Sequence, residues 1–238
     1  MNQTFYSPGE QRADRVNALF AAIARRYDLI NDVQSLGLHR LWKRRLVNLA
    51  QILPGTPALD VCCGTGDISF ALARAGAQTT GLDFNAPMLE VARKRANPGE
   101  SNPRFVQGDA LHLPFAEAEF DTVTMGYGLR NLSDWKCGLS ELRRVLKPGG
   151  RVLILDFGKP DNRAWRGLWF GYLRCVLPIL GRVFCGNAAA YAYVLESLEA
   201  YPAQHGVAAE LRAQGFADVR VQNFLGGVMS IHTARKQG

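Results

Sequence analysis

The sequence predicts an α/β fold built around a mostly parallel sheet. Three observations carry this expectation. From residue 58 onward, short apolar segments alternate with helix-patterned ones, which is the order of βαβ units. The apolar segments, such as residues 152–157, are near-continuous, as strands covered on both faces are. A turn with two glycines, Gly64-Thr65-Gly66, follows the first of them, at the carboxyl end of a strand, where open α/β sheets bind ligands.

Each element has its own signal. From residue 12 to 53 the pattern is helical, with Val16, Leu19, Phe20 and Ile23 at spacings of three and four. A second run holds Leu38, Leu41, Trp42, Leu46 and Leu49, with Arg40, Lys43, Arg44 and Arg45 assigned to its polar side, and Pro54-Gly55 breaks it. Residues 58–62 read as the first strand, 67–75 as a helix, and 79–82 as a second strand ending in Asp83. Asn85 is the expected N-cap of a helix through Met88, Leu89, Val91 and Ala92. Strands follow at 105–107 and 120–127, then a helix over 139–146 that stops at Lys147-Pro148-Gly149-Gly150, then a fifth strand at 152–157. Residues 165–184 are apolar and helical, but Arg166, Arg174, Arg182 and Pro178 interrupt them too often for a membrane span. A helix over 208–214 ends at Gly215, and strands at 219–224 and 228–232 close the sheet as an antiparallel pair around Gly226-Gly227. The chain thus divides into an N-terminal helical cover, 1–53, and an α/β domain, 54–238. Within the latter, 163–200 is an apolar helical insertion facing substrate or membrane.

Composition narrows the function classes. The 238 residues are 47% hydrophobic and 21% charged, enough for one sizeable core and too apolar for wholesale disorder. A net charge of +7 suits nucleic acid, an anionic membrane surface or an anionic cofactor, and equally a solvated basic surface. The five cysteines, Cys62, Cys63, Cys137, Cys175 and Cys185, are odd in number and form no C-x-x-C pair. They make neither a disulfide framework nor a metal pattern, so no metal is expected, and a reducing cytoplasm fits. Residues 1–11 are polar and lack the apolar core of a signal peptide.

Three loops at strand ends carry the binding chemistry. Glycines at Gly64 and Gly66 let backbone approach a ligand. Asp83 can accept both hydroxyls of an adenosine ribose. Asp109-Ala110 can meet the adenine amino group, with Leu111 flanking the ring. The competing reading is a nicotinamide dinucleotide, since Gly64-x-Gly66-x-x-Ser69 is an imperfect G-x-G-x-x-G. Asp67 argues against it, by placing a carboxylate where a pyrophosphate would sit on the helix N-terminus. S-adenosylmethionine has no phosphate and carries a sulfonium and an α-amino group, so the constellation favours it as cofactor. A P-loop is excluded, because no G-K-[ST] follows the glycines.

More particular motifs lie elsewhere: Phe20-x-x-Ile23-Ala24-x-x-Tyr27-Asp28-x-x-Asn31, Ser35-x-Gly37 and Trp42, Gly126-Tyr127-Gly128-Leu129-Arg130-Asn131, and Asp156-Phe157-x-Lys159-Pro160. Together they resemble the ubiquinone/menaquinone biosynthesis C-methyltransferases, from about Arg15 to Lys236. The resemblance implies a Rossmann-like, S-adenosylmethionine-dependent methyltransferase fold with a seven-stranded sheet. It implies cofactor contacts at Thr65, Asp83, Asp109, Ala110 and Gly126, the last often serine in relatives, beside the Gly64 and Gly66 backbone already singled out. It also implies C-methylation of a polyprenylated quinol, demethylmenaquinol to menaquinol first, since the Cys62-Cys63-Gly64-Thr65 loop is similar to menaquinone-branch members. The alternatives are 2-methoxy-6-polyprenyl-1,4-benzoquinol in ubiquinone biosynthesis, or another lipid or phenolic acceptor. A basic nucleic-acid module is disfavoured, because the aromatics sit in apolar runs and no Asn-Pro-Pro-Tyr tetrapeptide follows strand four.

Such a reaction needs a phenolate at neutral pH, although a phenol-like hydroxyl titrates near about 10. Arg130 is the first candidate to stabilise that oxygen or orient a water, and Asn131 to hold the oxygen or the arginine. The competing role of Arg130 is a salt bridge that ties the loop down. Tyr27 and Asp28 are expected to form a lid, or else to pack the cover. His112, His205 and His232 are candidate bases that more often serve in loops or packing. Residues 165–184 are the candidate wall for the prenyl tail, and Arg163, Arg166, Arg174 and Arg182 the candidate contacts with lipid headgroups. The expected setting is cytoplasmic, with peripheral contact at the inner face of the membrane. Oligomeric state stays open, a homodimer being compatible.

Overall fold

In the computed structural model, residues 35–98, 100–185 and 189–238 are described, preceded by positions 17, 18, 20–22, 24, 29, 31 and 32. Side chains at 177, 178 and 180–194 fall outside that description, as do Val16, Leu19, Ile23, Tyr27 and Asp28. Helix α1 (Leu38–Ala50) leads into strand β1 (Pro57–Val61), helix α2 (Asp67–Arg74), β2 (Gln78–Asp83) and α3 (Ala86–Lys94). Next come β3 (Arg104–Gln107), β4 (Phe120–Gly126), a 3-10 turn (Leu129–Asn131), α4 (Trp135–Val145) and β5 (Leu146–Phe157). The chain closes with α5 (Arg163–Cys185), α6 (Ala189–Ala200), α7 (Ala203–Ala213), β6 (Phe216–Phe224) and β7 (Met229–Lys236).

The strands form one seven-stranded sheet in the order β3-β2-β1-β4-β5-β7-β6. β1 to β5 run parallel, and β7 is antiparallel to both β5 and β6. The order reverses at β1, between β2 and β4, which places the ligand-binding crevice at that switch point.

Pleating explains why the strands look apolar throughout. Along β1, Ala58 faces one side while Leu59 and Val61 face the other; along β5, Leu153 and Leu155 oppose Val152 and Ile154. On the first side lie α1 and α2, through Trp42, Leu46, Val47, Ala50, Ile68 and Leu72. On the other lie α4 and α7, through Leu139, Leu142, Val207 and Leu211. In the central strands β1, β4 and β5 neither face meets water, so no alternation survives in their sequence.

Caps and bulges set the element ends. Asn85 caps α3 by accepting the Met88 N–H at 3.0 Å, as expected. Asp134 caps α4 through the N–H groups of Lys136 and Cys137, so this helix starts four residues before its expected first apolar position. Lys147-Pro148-Gly149-Gly150 does not stand outside the fifth strand. Leu146 already pairs with Phe120, the register then slips, and regular pairing resumes at Arg151 opposite Thr122. The tetrapeptide is therefore an irregularity within β5, with Gly149 at φ 77°.

Leu46 is fully buried between α1 and the sheet. Leu46→Ala should lower unfolding stability by about 2–5 kcal/mol, whereas exposed Arg44→Ala should change it by less than about 0.5 kcal/mol. Urea denaturation of the two variants checks this, and equal midpoints would show that α1 does not dock on the sheet.

Candidate active site

Four loops meet at the carboxyl edge of the sheet. The first runs from Cys62 to Gly66. Cys62, Gly64 and Gly66 have φ of 56°, 55° and 86°, so the chain turns sharply before entering α2. Gly66 is required sterically, since a Cβ there would lie 2.9 Å from the Phe105 ring and 3.1 Å from that of Phe70. The Cys63 N–H donates to the Leu82 carbonyl at 2.9 Å, and the Gly64 N–H donates to Asp83 Oδ2 at 2.8 Å. Burial pushes both thiols well up, so Cys62 and Cys63 act as small neutral residues.

Asp83 joins the first two loops. Its Oδ1 accepts the Asn85 N–H at 2.8 Å while its Oδ2 holds Gly64. Burial raises its pKa, opposed by the N–H groups of Asn85, Gly64 and Phe84. Three N–H donors on its two oxygens still leave acceptor capacity for a ligand. In the third loop Asp109 closes a turn, its Oδ1 accepting the Leu111 N–H at 2.9 Å, and Ala110 is buried beside it. Leu82, Met88, Ala110, Leu111 and Leu132 line an apolar slot between these two carboxylates. The whole crevice encloses about 990 Å³ of empty space out to its open mouth. A pair of acidic acceptors beside an apolar slot fits a nucleoside, with ribose on Asp83 and the base against the leucines.

The fourth loop follows β4. Gly126, Tyr127, Gly128, Asn131, Leu132 and Ser133 line the crevice. Tyr127 has φ 61°, a conformation that costs a non-glycine residue about 1–3 kcal/mol unless its surroundings enforce it. Three hydrogen bonds enforce it here. The Tyr127 N–H donates to the Leu155 carbonyl at 2.7 Å, and its own carbonyl accepts Arg130 Nη1 at 2.8 Å and Asn131 Nδ2 at 3.1 Å. Gly126 presents backbone to the crevice, and a Cβ there would clash with Ile68 Cδ1. Ile68 thus fills the space that a serine side chain would need.

The structure does not place the Arg130 guanidinium in the crevice wall. It is buried, with Nη1 2.8 Å from Asp156 Oδ1, and it lies 4.7 Å from the centre of the Phe157 ring. Asp156 is fully buried at the end of β5, and its Oδ2 also accepts the Arg130 backbone N–H. The ion pair draws the arginine behind the wall, whereas Asn131 lines the crevice. None of the three candidate histidines reaches it. His112 is exposed, His205 pairs with Asp161 on the surface, and His232 is buried against the Gln204 carbonyl. Tyr27 and Asp28 lie outside the described residues; from the cover, Asn17 and Phe20 line the crevice, and Asn17 accepts both bonds of the Asn85 amide.

Asp67 does not offer a bare charge to the ligand. Lys43 Nζ lies 2.7 Å from its Oδ2 and Arg95 Nη2 2.6 Å from its Oδ1. Burial would raise this carboxyl, but Lys43 and Arg95 outweigh burial and hold it at about 2. Its repulsion of phosphate is therefore weaker than its sequence position suggests. Thr65 is buried and lines a smaller side cavity with Lys43, Asp60 and Asp67; its carbonyl accepts Arg95 Nη1 at 2.8 Å.

Sequence reasoning missed Lys43 and Asp60. Lys43 was placed on the polar side of α1. At about 100° per residue it falls inside the arc of His39, Trp42, Leu46, Val47 and Ala50, and this signal was available. Asp60 was read only as part of an apolar strand. It is buried, accepts Ser69 Oγ at 2.6 Å and Thr124 Oγ1 at 2.8 Å, and burial raises it to about 6.

A family model described as the ubiE/COQ5 methyltransferase family matches residues 9–236. A relative from Mycobacterium sp. (strain JLS) named demethylmenaquinone methyltransferase is 41% identical over 227 residues, covering 95% of this chain and 96% of that protein. A protein of the same name from Staphylococcus aureus (strain JH9) is 37% identical over 227 residues, covering 94% of each. Among solved structures, a SAM-dependent methyltransferase from Thermotoga maritima superposes with a TM-score of 0.64 at 18% identity, covering 92% of this chain and 99% of that one. Phosphoethanolamine N-methyltransferase 2 of Haemonchus contortus, in complex with S-adenosyl-L-methionine, gives 0.61 at 18% identity, over 83% of this chain and 52% of that one. These two likenesses establish the shared fold.

Because the folded pKa of Asp67 is depressed, its pairs add stability above the unfolded carboxyl value. That stability is lost as pH falls from about 4 towards about 2. Asp67→Asn should flatten the acid limb of stability against pH between about 5 and about 2. A titration of denaturation midpoints reads this directly, and an unaltered limb would mean that the Lys43 and Arg95 pairs contribute nothing in solution.

Proposed function

This chain belongs to the ubiE/COQ5 methyltransferase family, and on that footing we propose that it methylates a ring carbon of demethylmenaquinol. It is an S-adenosylmethionine-dependent methyltransferase of the demethylmenaquinone methyltransferase type. What supports the acceptor is the relatives' shared name at 37% and 41% identity over nearly the whole chain. What supports the chemistry is one crevice lined by the nucleoside-type acceptors Asp83 and Asp109 and by the Gly126–Ser133 loop.

When bound, the cofactor supplies an electrophilic methyl group and leaves as a neutral thioether. Asp83 takes the ribose hydroxyls, Asp109 and Ala110 meet the adenine, and Gly64 and Gly126 offer backbone along the cofactor. Thr65 and Gly66 shape the loop that carries Gly64. The acceptor ring occupies the side of the crevice formed by Tyr127, Gly128, Asn131 and Ser133. Asn131 touches it directly and helps hold the phenolate oxygen. Arg130 is a positioning residue: through Asp156 and the Tyr127 carbonyl it fixes the 3-10 turn that carries Asn131.

The aromatic series Tyr127, Phe157, Trp169 and Tyr172, with ring centres 5.9, 6.5 and 5.6 Å apart, leads from the crevice to α5. We assign the prenyl tail to this path. No helix among the described residues is long and apolar enough to cross a membrane. On α5, however, Trp165, Leu168, Val176 and Ile179 are exposed and fall within an arc of about 80°. That stripe is the surface we assign to lipid contact, since an exposed apolar helix face suits the acyl boundary. Arg166 and Arg174 contribute less than their sequence positions suggest. Arg166 donates to the carbonyls of Pro160 and Asp161, and Arg174 pairs with Glu199. Arg163 stands at the start of the helix, and the Arg182 side chain lies outside the described residues.

Purified protein incubated with S-adenosylmethionine and reduced demethylmenaquinone should yield the methylated naphthoquinol by mass spectrometry, and none from the oxidised quinone. Methylation of a 2-methoxy-6-polyprenyl-1,4-benzoquinol alone would overturn the naphthoquinol assignment. Arg130→Lys should lower kcat about 10²-fold, the size expected of a misplacement of about 1 Å, with cofactor affinity unchanged. A near-normal kcat would remove Arg130 from the reading. For the membrane assignment, Leu168→Glu with Ile179→Glu should abolish co-sedimentation with anionic vesicles while leaving the unfolding midpoint in place; retained binding counts against the stripe.

A further inference from the structure

The N-terminal cover meets the crevice through two described residues, Asn17 and Phe20. Both positions are helical, and a helical spacing of three puts them on one face. Phe20 is partly buried and packs on the apolar cluster that contains Leu82, Ala110 and Leu129. Asn17 makes the polar contact. The Asn85 amide Nδ2 donates to its side-chain oxygen at 2.6 Å and to its backbone carbonyl at 2.8 Å.

The other bonds of Asn85 fix the direction of this contact. Its Oδ1 accepts the Met88 N–H as the cap of α3, so the opposite side of the amide can only donate. Asn17 must therefore present oxygen to it. The Asn85 backbone N–H donates to Asp83 Oδ1, and its carbonyl accepts the Leu89 N–H at 3.2 Å. Asn85 is buried, and each of its polar groups is committed. One residue thus joins the start of α3, the carboxylate assigned to the ribose, and a cover residue 68 positions earlier in the chain.

We propose that Asn17 is a positioning residue for methyl transfer. Its two oxygens, one on the side chain and one on the backbone, latch the cover onto the cap of α3. The latched cover seats Phe20 in the crevice wall. A wall fixed in this way narrows the positions open to the acceptor ring and keeps water from the transfer site. Asn17 acts through Asn85 and Phe20, and no step of the chemistry passes through its amide. This role rests on the crevice being the site of methyl transfer, as proposed above.

A double-mutant cycle with two readouts tests the latch. Asn17→Ala removes the side-chain oxygen and leaves the backbone carbonyl. Asn85→Ser keeps a residue type that caps α3 but removes the Nδ2 donors altogether. With saturating S-adenosylmethionine and reduced demethylmenaquinone, Asn17→Ala should lower kcat about 5-fold and Asn85→Ser about 10-fold, the range of one and two neutral hydrogen bonds. The double variant should match Asn85→Ser within about twofold, because the contact is already gone. In both single variants, hydrogen exchange in the peptide that carries Asn17 and Phe20 should quicken, while the urea midpoint of Asn17→Ala stays in place. Unchanged exchange, or losses that multiply in the double variant, would overturn the latch. Faster exchange with an unchanged kcat would overturn the positioning role, and so would a kcat loss in Asn17→Ala that follows a lowered midpoint. Wild-type protein inactive on the reduced quinone would instead remove the acceptor assignment, and the exchange readout would still decide the latch.

Discussion

Carboxylates at the carboxyl ends of parallel strands hold this structure's functional edge together. Asp60 near the end of β1 accepts two hydroxyls, Asp83 at the end of β2 accepts two backbone N–H groups from neighbouring loops, and Asp156 near the end of β5 receives Arg130 and the Phe157 N–H. The reason lies in the sheet. Strands covered on both faces end in a buried layer, where turning backbone exposes N–H groups that helices and neighbouring strands no longer satisfy. An anionic acceptor can take several such donors at once, and these bonds are stronger than neutral ones. Asp83 and Asp156 therefore fix loops in place, Asp60 ties α2 to β4, and the crevice is what these fixed elements enclose.

That arrangement leaves the edge negative, and the cations that compensate arrive from other elements. Arg130 comes from the turn after β4, Arg95 from the residue that caps α3, and Lys43 from α1, a helix far from the glycine loop in sequence. The consequence is a division of labour across a short distance. The part of the crevice around Asp83 and Asp109 is acidic and apolar, the side cavity contains a lysine, and the part around Tyr127, Asn131 and Ser133 is lined by amide, hydroxyl and backbone. Two of the non-glycine residues with positive φ, Cys62 and Tyr127, lie at this edge, and both stand where two loops approach closely. At Gly128, a Cβ would come within 2.6 Å of Cys62 Cβ, which is why the fourth loop can lie directly over the first.

Much of the fold was legible from pattern alone. The strands at 58–62, 79–82, 105–107 and 120–127 fall within one or two residues of those observed, and Asn85 caps the helix expected of it. The start of α4 was not, because the helix begins at Trp135 and Lys136, before its apolar face is established, and only the Asp134 cap announces it. The Pro148-Gly149-Gly150 turn was read as punctuation between elements, although the strand simply bulges around it. Of the candidate site, Gly64, Asp83, Asp109, Ala110, Gly126 and Asn131 line the crevice, each within a loop whose place is set by the strand before it. Arg130 was expected beside the reacting oxygen and Asp67 at the cofactor, but which way each faces depends on partners 26 and 24 residues away.

The sequence by itself therefore determined the elements, their parallel arrangement and the residues at each strand's end, because these follow from local periodicity, capping and turn chemistry. The tertiary structure alone decided which charges meet. Lys43 pairs with Asp67, Arg130 with Asp156, and Asp83 bonds to Gly64 only once separate βα units have packed side by side. Long-range pairing carries no periodic signal, so a chain can show where its charged residues stand without showing which of them remain turned towards a ligand.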